Sequence, residues 1–145
     1  MPRITIELPE RLPFTTDVVV YQSHINIAGH VDNALMLTLV SEARQRFFKS
    51  LGYTETQVED AGIVVTDAAI QYLSEAFYGE TLRISMAAHD FNKYGCDLVY
   101  RIREASSGRD VACGKTGIVF FDYAARKIRP IPQPFKDKID SMQAA

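Results

Sequence analysis

The sequence predicts an α+β domain, with one antiparallel sheet curled around a single long helix. Three observations predict it. One stretch, Ala34 to Leu51, is apolar over most of a helical circumference. Several segments of strand-like pattern follow it, separated by short polar breaks. The chain has 145 residues, the size of one domain, so residues 1–145 are read as a single unit.

The elements follow in order. Phe14 to Gln22 is dense in Val and Thr and reads as the first strand. A polar loop broken by Gly29 comes next, and Asp32 or Asn33 is placed to cap a helix. In the long helix, Leu35, Leu37, Leu39, Val40, Ala43, Phe47, Phe48 and Leu51 lie on a wide apolar arc at about 100° per residue. Thr38, Ser41, Gln45 and Lys49 form a narrow polar stripe, and Gly52 is placed to stop the helix. So wide an arc predicts a helix wrapped by the sheet. Thr54-Glu55-Thr56-Gln57 reads as a capping box opening a short second helix that ends near Gly62. Strands are predicted at Ile63–Phe77, Thr81–Phe91, Cys96–Glu104, Val111–Phe121 and Lys127–Ile131, as a long antiparallel meander. Pro134 to Ile139 reads as a short terminal helix. An open sheet has edges to protect, and edge pairing into a dimer is the expected solution.

Composition narrows the function. A net charge of -2 supplies no basic field for nucleic acid. No apolar run approaches the roughly 18 residues that span a bilayer. The first residues lack a signal-peptide core, and Cys96 and Cys113 stand alone. A reduced, cytoplasmic protein is expected, with neither nucleic acid nor membrane as partner.

The chemistry concentrates in His24-Ile25-Asn26-Ile27-Ala28-Gly29-His30-Val31-Asp32-Asn33-Ala34 and the following Glu42. The first N–H groups of a helix have no partner inside it and attract negative charge. A carboxylate about two turns further on can act as a base or nucleophile. Together these features suggest a site where an anion forms during reaction.

Asn26-x-x-Gly29-His30-Val31-Asp32-Asn33-Ala34 followed by Glu42-Ala43-Arg44 resembles the hotdog-fold acyl-CoA thioesterases of the 4-hydroxybenzoyl-CoA thioesterase group. Ile70-Gln71-Tyr72-Leu73 with Tyr78-Gly79-Glu80, Phe120-Phe121-Asp122 and Ile131-Pro132 extend the likeness along the chain. The resemblance implies a hotdog fold, a homodimer or homotetramer, and hydrolysis of an acyl-CoA thioester to free acid and thiol. Coenzyme A is then part of the substrate, and no cofactor is implied. Many members carry Asp where Asn26 stands here, and Asn cannot ionise. A second branch uses a helix glutamate with an amide in the loop, which Glu42 and Asn26 match more closely. Glu42, Asn26 and His30 are therefore the candidate catalytic residues. Substrate binding is expected at the Asn33 and Ala34 N–H groups and, on a strand near the pocket, at Thr66 and Asp67.

Each assignment has a plainer competitor. Glu42 stands four residues before Arg46, the spacing of an ordinary surface pair. Arg44 lies on the apolar arc and needs a partner, expected to be an ion pair. His30 can simply hydrogen-bond the turn after Gly29. His24 and His30 have no third ligand nearby, which argues against a metal site. A non-catalytic acyl-thioester binding protein on the same scaffold is the alternative function, with Asn26 marking lost catalysis.

Overall fold

Six segments of the described residues form strands, the central ones rich in strand-favouring residues and buried almost along their whole length. The structure, a computed structural model, describes residues 3–145. Its elements are β1 (Phe14–Val19), α1 (Asn33–Ser50), β2 (Gly62–Tyr72), β3 (Thr81–His89), β4 (Gly95–Glu104), β5 (Asp110–Asp122), β6 (Lys127–Arg129) and α2 (Gln133–Ala144). The sheet is antiparallel in the order β1-β3-β4-β5-β2, with β6 paired to β5.

The expected meander holds from β3 through β6 and fails at β2. β2 ends at Tyr72, five residues earlier than predicted, and pairs with β5 from Gly62↔Phe121 to Tyr72↔Ala112. The chain then crosses the sheet to reach β3. That crossing spans three interstrand spacings, about 14 Å. Residues 73–80 supply more than enough chain, at up to ~3.3 Å each. The strand pattern of Ile63–Phe77 merged a strand with this crossing.

The helix predicted after Thr54 does not form. Residues 54–61 make two tight turns with isolated bridges, Thr54↔Gln57 and Val58↔Ala61. A competing interaction explains the failure. Glu55 turns inward and takes the Nε–H of Arg44 at 2.7 Å, so its segment is tied to α1. Val58 is fully buried beneath the same turns. This pair is also the partner that Arg44 needs on an otherwise apolar face.

α1 begins where Asp32 caps it. Asp32 is extended, with φ -61° and ψ 139°, and its carboxylate accepts the Ala34 N–H at 3.0 Å. Gly52, at φ +88°, lets the chain leave the helix. Met36, Leu39, Val40, Ala43, Phe47 and Phe48 are buried against the sheet. Inner-face residues Leu82, Ile84, Leu98, Tyr100, Ile102 and Phe120 meet them, all fully buried. α2 closes the open end, stacking Phe135 on Phe48 and setting it edge-on to Phe120. The wrapping of α1 is incomplete in the single chain. Thr38, Glu42, Gln45 and Lys49 remain exposed, and Ser41 is half-buried.

Close approach fixes one glycine. A Cβ on Gly95 would run into the backbone carbonyl of Ile118 on the neighbouring strand β5, so only glycine lets β4 begin there.

The β4–β5 turn carries its own pH dependence. The Glu104 carboxylate accepts from Ser106 N–H (3.0 Å), Ser106 Oγ (2.7 Å) and Ser107 N–H (2.9 Å). These donors, Ser106 foremost, hold the carboxyl down at about 2 against an ordinary 4.5. A depressed carboxyl adds stability that is complete above pH 4.5 and is lost as pH falls towards 2. Urea unfolding across that window is therefore expected to fall less steeply for Glu104→Gln than for the wild type.

Candidate active site

The loop between β1 and α1 is built by its own side chains. Asn26 Oδ1 accepts the Ala28 N–H at 3.0 Å, and Gly29 N–H returns to the Asn26 carbonyl at 3.0 Å. Gly29 adopts φ +88°, which the turn requires. Asn26 N–H donates to the His30 carbonyl, and an Ile25↔Val31 bridge closes the loop. This leaves the Asn26 amide Nδ2 with one long contact, 3.5 Å from Asp32 Oδ1.

His30 serves this loop first. The Val31 carbonyl can only accept, so His30 Nδ1 carries the proton of their 3.1 Å bond. Its Nε2 lies 3.7 Å from Glu75 Oε1.

At the helix start the N–H groups divide. Ala34 N–H is taken by Asp32 and Met36 N–H by the Asp32 carbonyl. Among the described residues, Asn33 N–H meets no acceptor. Tyr72 Oη donates to the Asn33 carbonyl at 2.7 Å and pins the first helical turn to the end of β2. Burial, and then the Asp32 charge, push the Tyr72 hydroxyl above its ordinary range, so it stays a donor. Asn26, His30, Asn33, Met36, Tyr72 and Glu75 line a cavity of about 310 Å³. Its walls suit an apolar group with polar contacts at one end.

Glu42 is not in that cavity. It lines a second one, of about 430 Å³, with His24, Thr38, Ser41, Gln45 and Arg46. Arg46 Nε–H donates to Glu42 Oε2 at 2.8 Å, the pair expected from their spacing. Arg46 is in turn anchored on β1 through Thr16 Oγ1 (2.9 Å) and the Asp17 carbonyl (2.7 Å). The surface pair therefore also aims the carboxylate, and Glu42 Oε1 has no partner among the described residues. From Asn33 to Glu42 is nine residues, about 13 Å along the helix and about half a turn around it. One carbonyl group cannot touch both from a single chain.

Thr66 and Asp67 sit at an irregularity of β2, whose register shifts between Val65 and Asp67. Thr66 Oγ1 donates to Asp67 Oδ1 at 3.3 Å, and Asp67 pairs with Lys115 at 3.4 Å. Lys115 also holds Asp97 at 3.1 Å, which places this group on the sheet face turned away from α1. The structure thus gathers Asn26, His30 and Asn33, keeps Glu42 apart, and sets Thr66 and Asp67 outside both cavities.

Two residues of these cavities escaped sequence reasoning. Tyr72 stood within a strand-like run, and its place in the alternation, on the same sheet face as Ile70, was the available signal. His24 was weighed only as a metal ligand. Burial pushes the Cys96 thiol up to about 12 and raises that of Cys113 as well. No three His, Cys, Asp or Glu among the described residues are grouped to hold a metal. No helix among the described residues is long and apolar enough to cross a membrane.

Comparison with known proteins bears on this geometry. The profile of the thioesterase-like superfamily matches residues 20–139. A 1,4-dihydroxy-2-naphthoyl-CoA thioesterase from Synechocystis superposes with a TM-score of 0.81 at 24% identity, over 90% of this chain and 97% of that one. A gentisyl-coenzyme A thioesterase superposes with a TM-score of 0.77 at 17% identity, over 87% of this chain and 99% of that one. A Staphylococcus aureus protein solved in complex with CoA reaches a TM-score of 0.81 at 18% identity, over 97% of this chain and 89% of that one. No curated protein sequence matches the chain. At these identities the solved structures speak for the shared fold.

Proposed function

The chain belongs to the thioesterase-like superfamily, with the hotdog fold and thioester hydrolysis that go with it, and from that premise we propose that it hydrolyses acyl-CoA at a centre composed from two chains. The single observation that carries this reading is the separation of its parts. The donor end lies at Asn26 and Asn33, and the carboxylate lies about 13 Å further along the same helix, on its opposite side. A two-fold partner can set its Glu42 opposite the helix start of the first chain. β2 offers the surface for such pairing. It is an edge strand of the sheet, and beyond Ile63, whose N–H and carbonyl are taken by Glu55 and Tyr123, it runs on with Val65, Tyr72 and the following Leu73 exposed.

In this proposal Asn33 N–H stabilises the thioester oxygen as negative charge develops there. Ala34 N–H, already held by Asp32, supports the helix start and joins only if that cap is exchanged. Asn26 Nδ2 orients the carbonyl or the attacking water, and His30 holds the loop in shape. Glu42 of the partner subunit either takes the proton of water or attacks the carbonyl carbon itself, forming an anhydride that water then opens. Both routes form the C–O bond, break the C–S bond and release the thiol with a proton. Thr66 and Asp67 remain binding candidates only through a partner's substrate. Homodimer or homotetramer assembly satisfies the composite site equally. The cytoplasm is the proposed compartment, because Cys96 and Cys113 are buried and unpaired.

Thiol release from a panel of aliphatic and aromatic acyl-CoAs tests the activity, with turnover of at least one class expected. Tight binding of acyl-CoA without release from any of them is what a binding protein on this scaffold would show.

A further inference from the structure

His24 occupies the cavity of Glu42, and a resolved hydrogen bond fixes which of its nitrogens can act there. Tyr21 N–H donates to His24 Nδ1 at 2.9 Å. A backbone N–H only donates, so Nδ1 is the acceptor and the neutral ring carries its proton on Nε2. The ring is held in place by stacking on Tyr21, with centroids 5.8 Å apart and planes at 19°. Nε2 has no protein acceptor among the described residues. The other lining residues with polar side chains are Tyr21, Thr38, Ser41, Glu42, Gln45 and Arg46. Arg46 is committed to Glu42, Thr16 and Asp17. The ring therefore brings a preset N–H donor to the same space as the free Glu42 Oε1.

We infer that His24 donates its Nε2–H to the substrate's thioester oxygen, as a second donor opposite the Asn33 N–H of the partner subunit. The inference rests on the proposed hydrolysis with Glu42 as its carboxylate. A donor held by the loop, rather than by the substrate, loses nothing to reorientation as charge develops on that oxygen.

Two substitutions separate this role from the loop contact. In His24→Asn the side-chain oxygen can replace Nδ1 as acceptor of the Tyr21 N–H, while the donor at the Nε2 position is lost. In His24→Gln the amide reaches the Nε2 position and the loop contact is lost. His24→Asn is expected to lower kcat by on the order of 10–100-fold with KM little changed, and His24→Gln to recover most of that loss. Wild-type kcat in His24→Asn would overturn the inference, as would His24→Gln no better than His24→Asn. A readout on the wild-type protein guards against a variant that fails to fold. With nitrogen-15 histidine labelling, the S-acetonyl thioether of coenzyme A, which keeps a carbonyl but has no scissile thioester, should shift the His24 Nε2 resonance. Saturation without a shift would also overturn it. Glu42→Gln, run alongside, keeps the two readings apart. If it retains activity, the carboxylate assignment fails first. If it is inactive while His24→Asn matches the wild type, His24 alone is wrong.

Discussion

Glu42→Gln leaves the protein folded and lowers kcat by on the order of 10²–10⁴, the range for losing a positioned base. The amide keeps the length and shape of the side chain, and its oxygen can still accept from Arg46 Nε. The lost charge pair is half-exposed, with side-chain exposures of 41% and 52%. Such pairs contribute about 0–1 kcal/mol, so the melting temperature should hardly move. KM is expected to stay near the wild-type value, because the carboxylate acts on water or the carbonyl carbon rather than on the bulk of the substrate. A variant with full activity would place the carboxylate elsewhere. Steady-state kinetics and a thermal melt on the same preparation check both halves of this expectation.

The second large effect is expected at Asn33, and it isolates one backbone N–H. Asn33 is the first helical residue, where proline is well tolerated because its missing N–H would be unpaired in any case. Asp32 before it is already extended at ψ 139°, as a residue preceding proline must be. Asn33→Pro should therefore keep α1 and still remove the proposed oxyanion donor. A fall of about 100–1000-fold in kcat is expected, with Asn33→Ala, which loses only the side chain, close to the wild type. Equal rates in the proline and alanine variants would remove Asn33 N–H from the reaction. The Tyr72 hydrogen bond goes to the Asn33 carbonyl and survives both changes.

Features written into neighbouring residues were legible in the sequence. The Asp32 cap, the Gly52 stop and the buried Leu39–Val40–Ala43–Phe47 face follow from local chemistry and helical spacing. The loop from Asn26 to Asn33 was legible because its turn is made by its own Asn and Gly. What failed depended on distant partners. Thr54 to Gln57 has a helix-start pattern, but Arg44 takes the Glu55 side chain and the helix is not formed. The crossing after Tyr72 is invisible in a pattern of alternation, since β5 rather than β3 supplies the partner of β2. Within the site, spacing along the helix already implied that Asn33 and Glu42 point in opposite directions. Only the two cavities, with His24 in one and Tyr72 in the other, turn that spacing into two half-sites.

Complementation between inactive variants tests the composite centre most directly. Asn33→Pro and Glu42→Gln are each purified, unfolded together and refolded as a mixture. If each centre joins Asn33 of one chain to Glu42 of the other, a mixed dimer has one intact centre and one carrying both changes. Random mixing then restores about a quarter of the wild-type activity, because half the dimers are mixed and half their centres are intact. Activity no higher than that of either variant alone would contradict a centre shared between two chains.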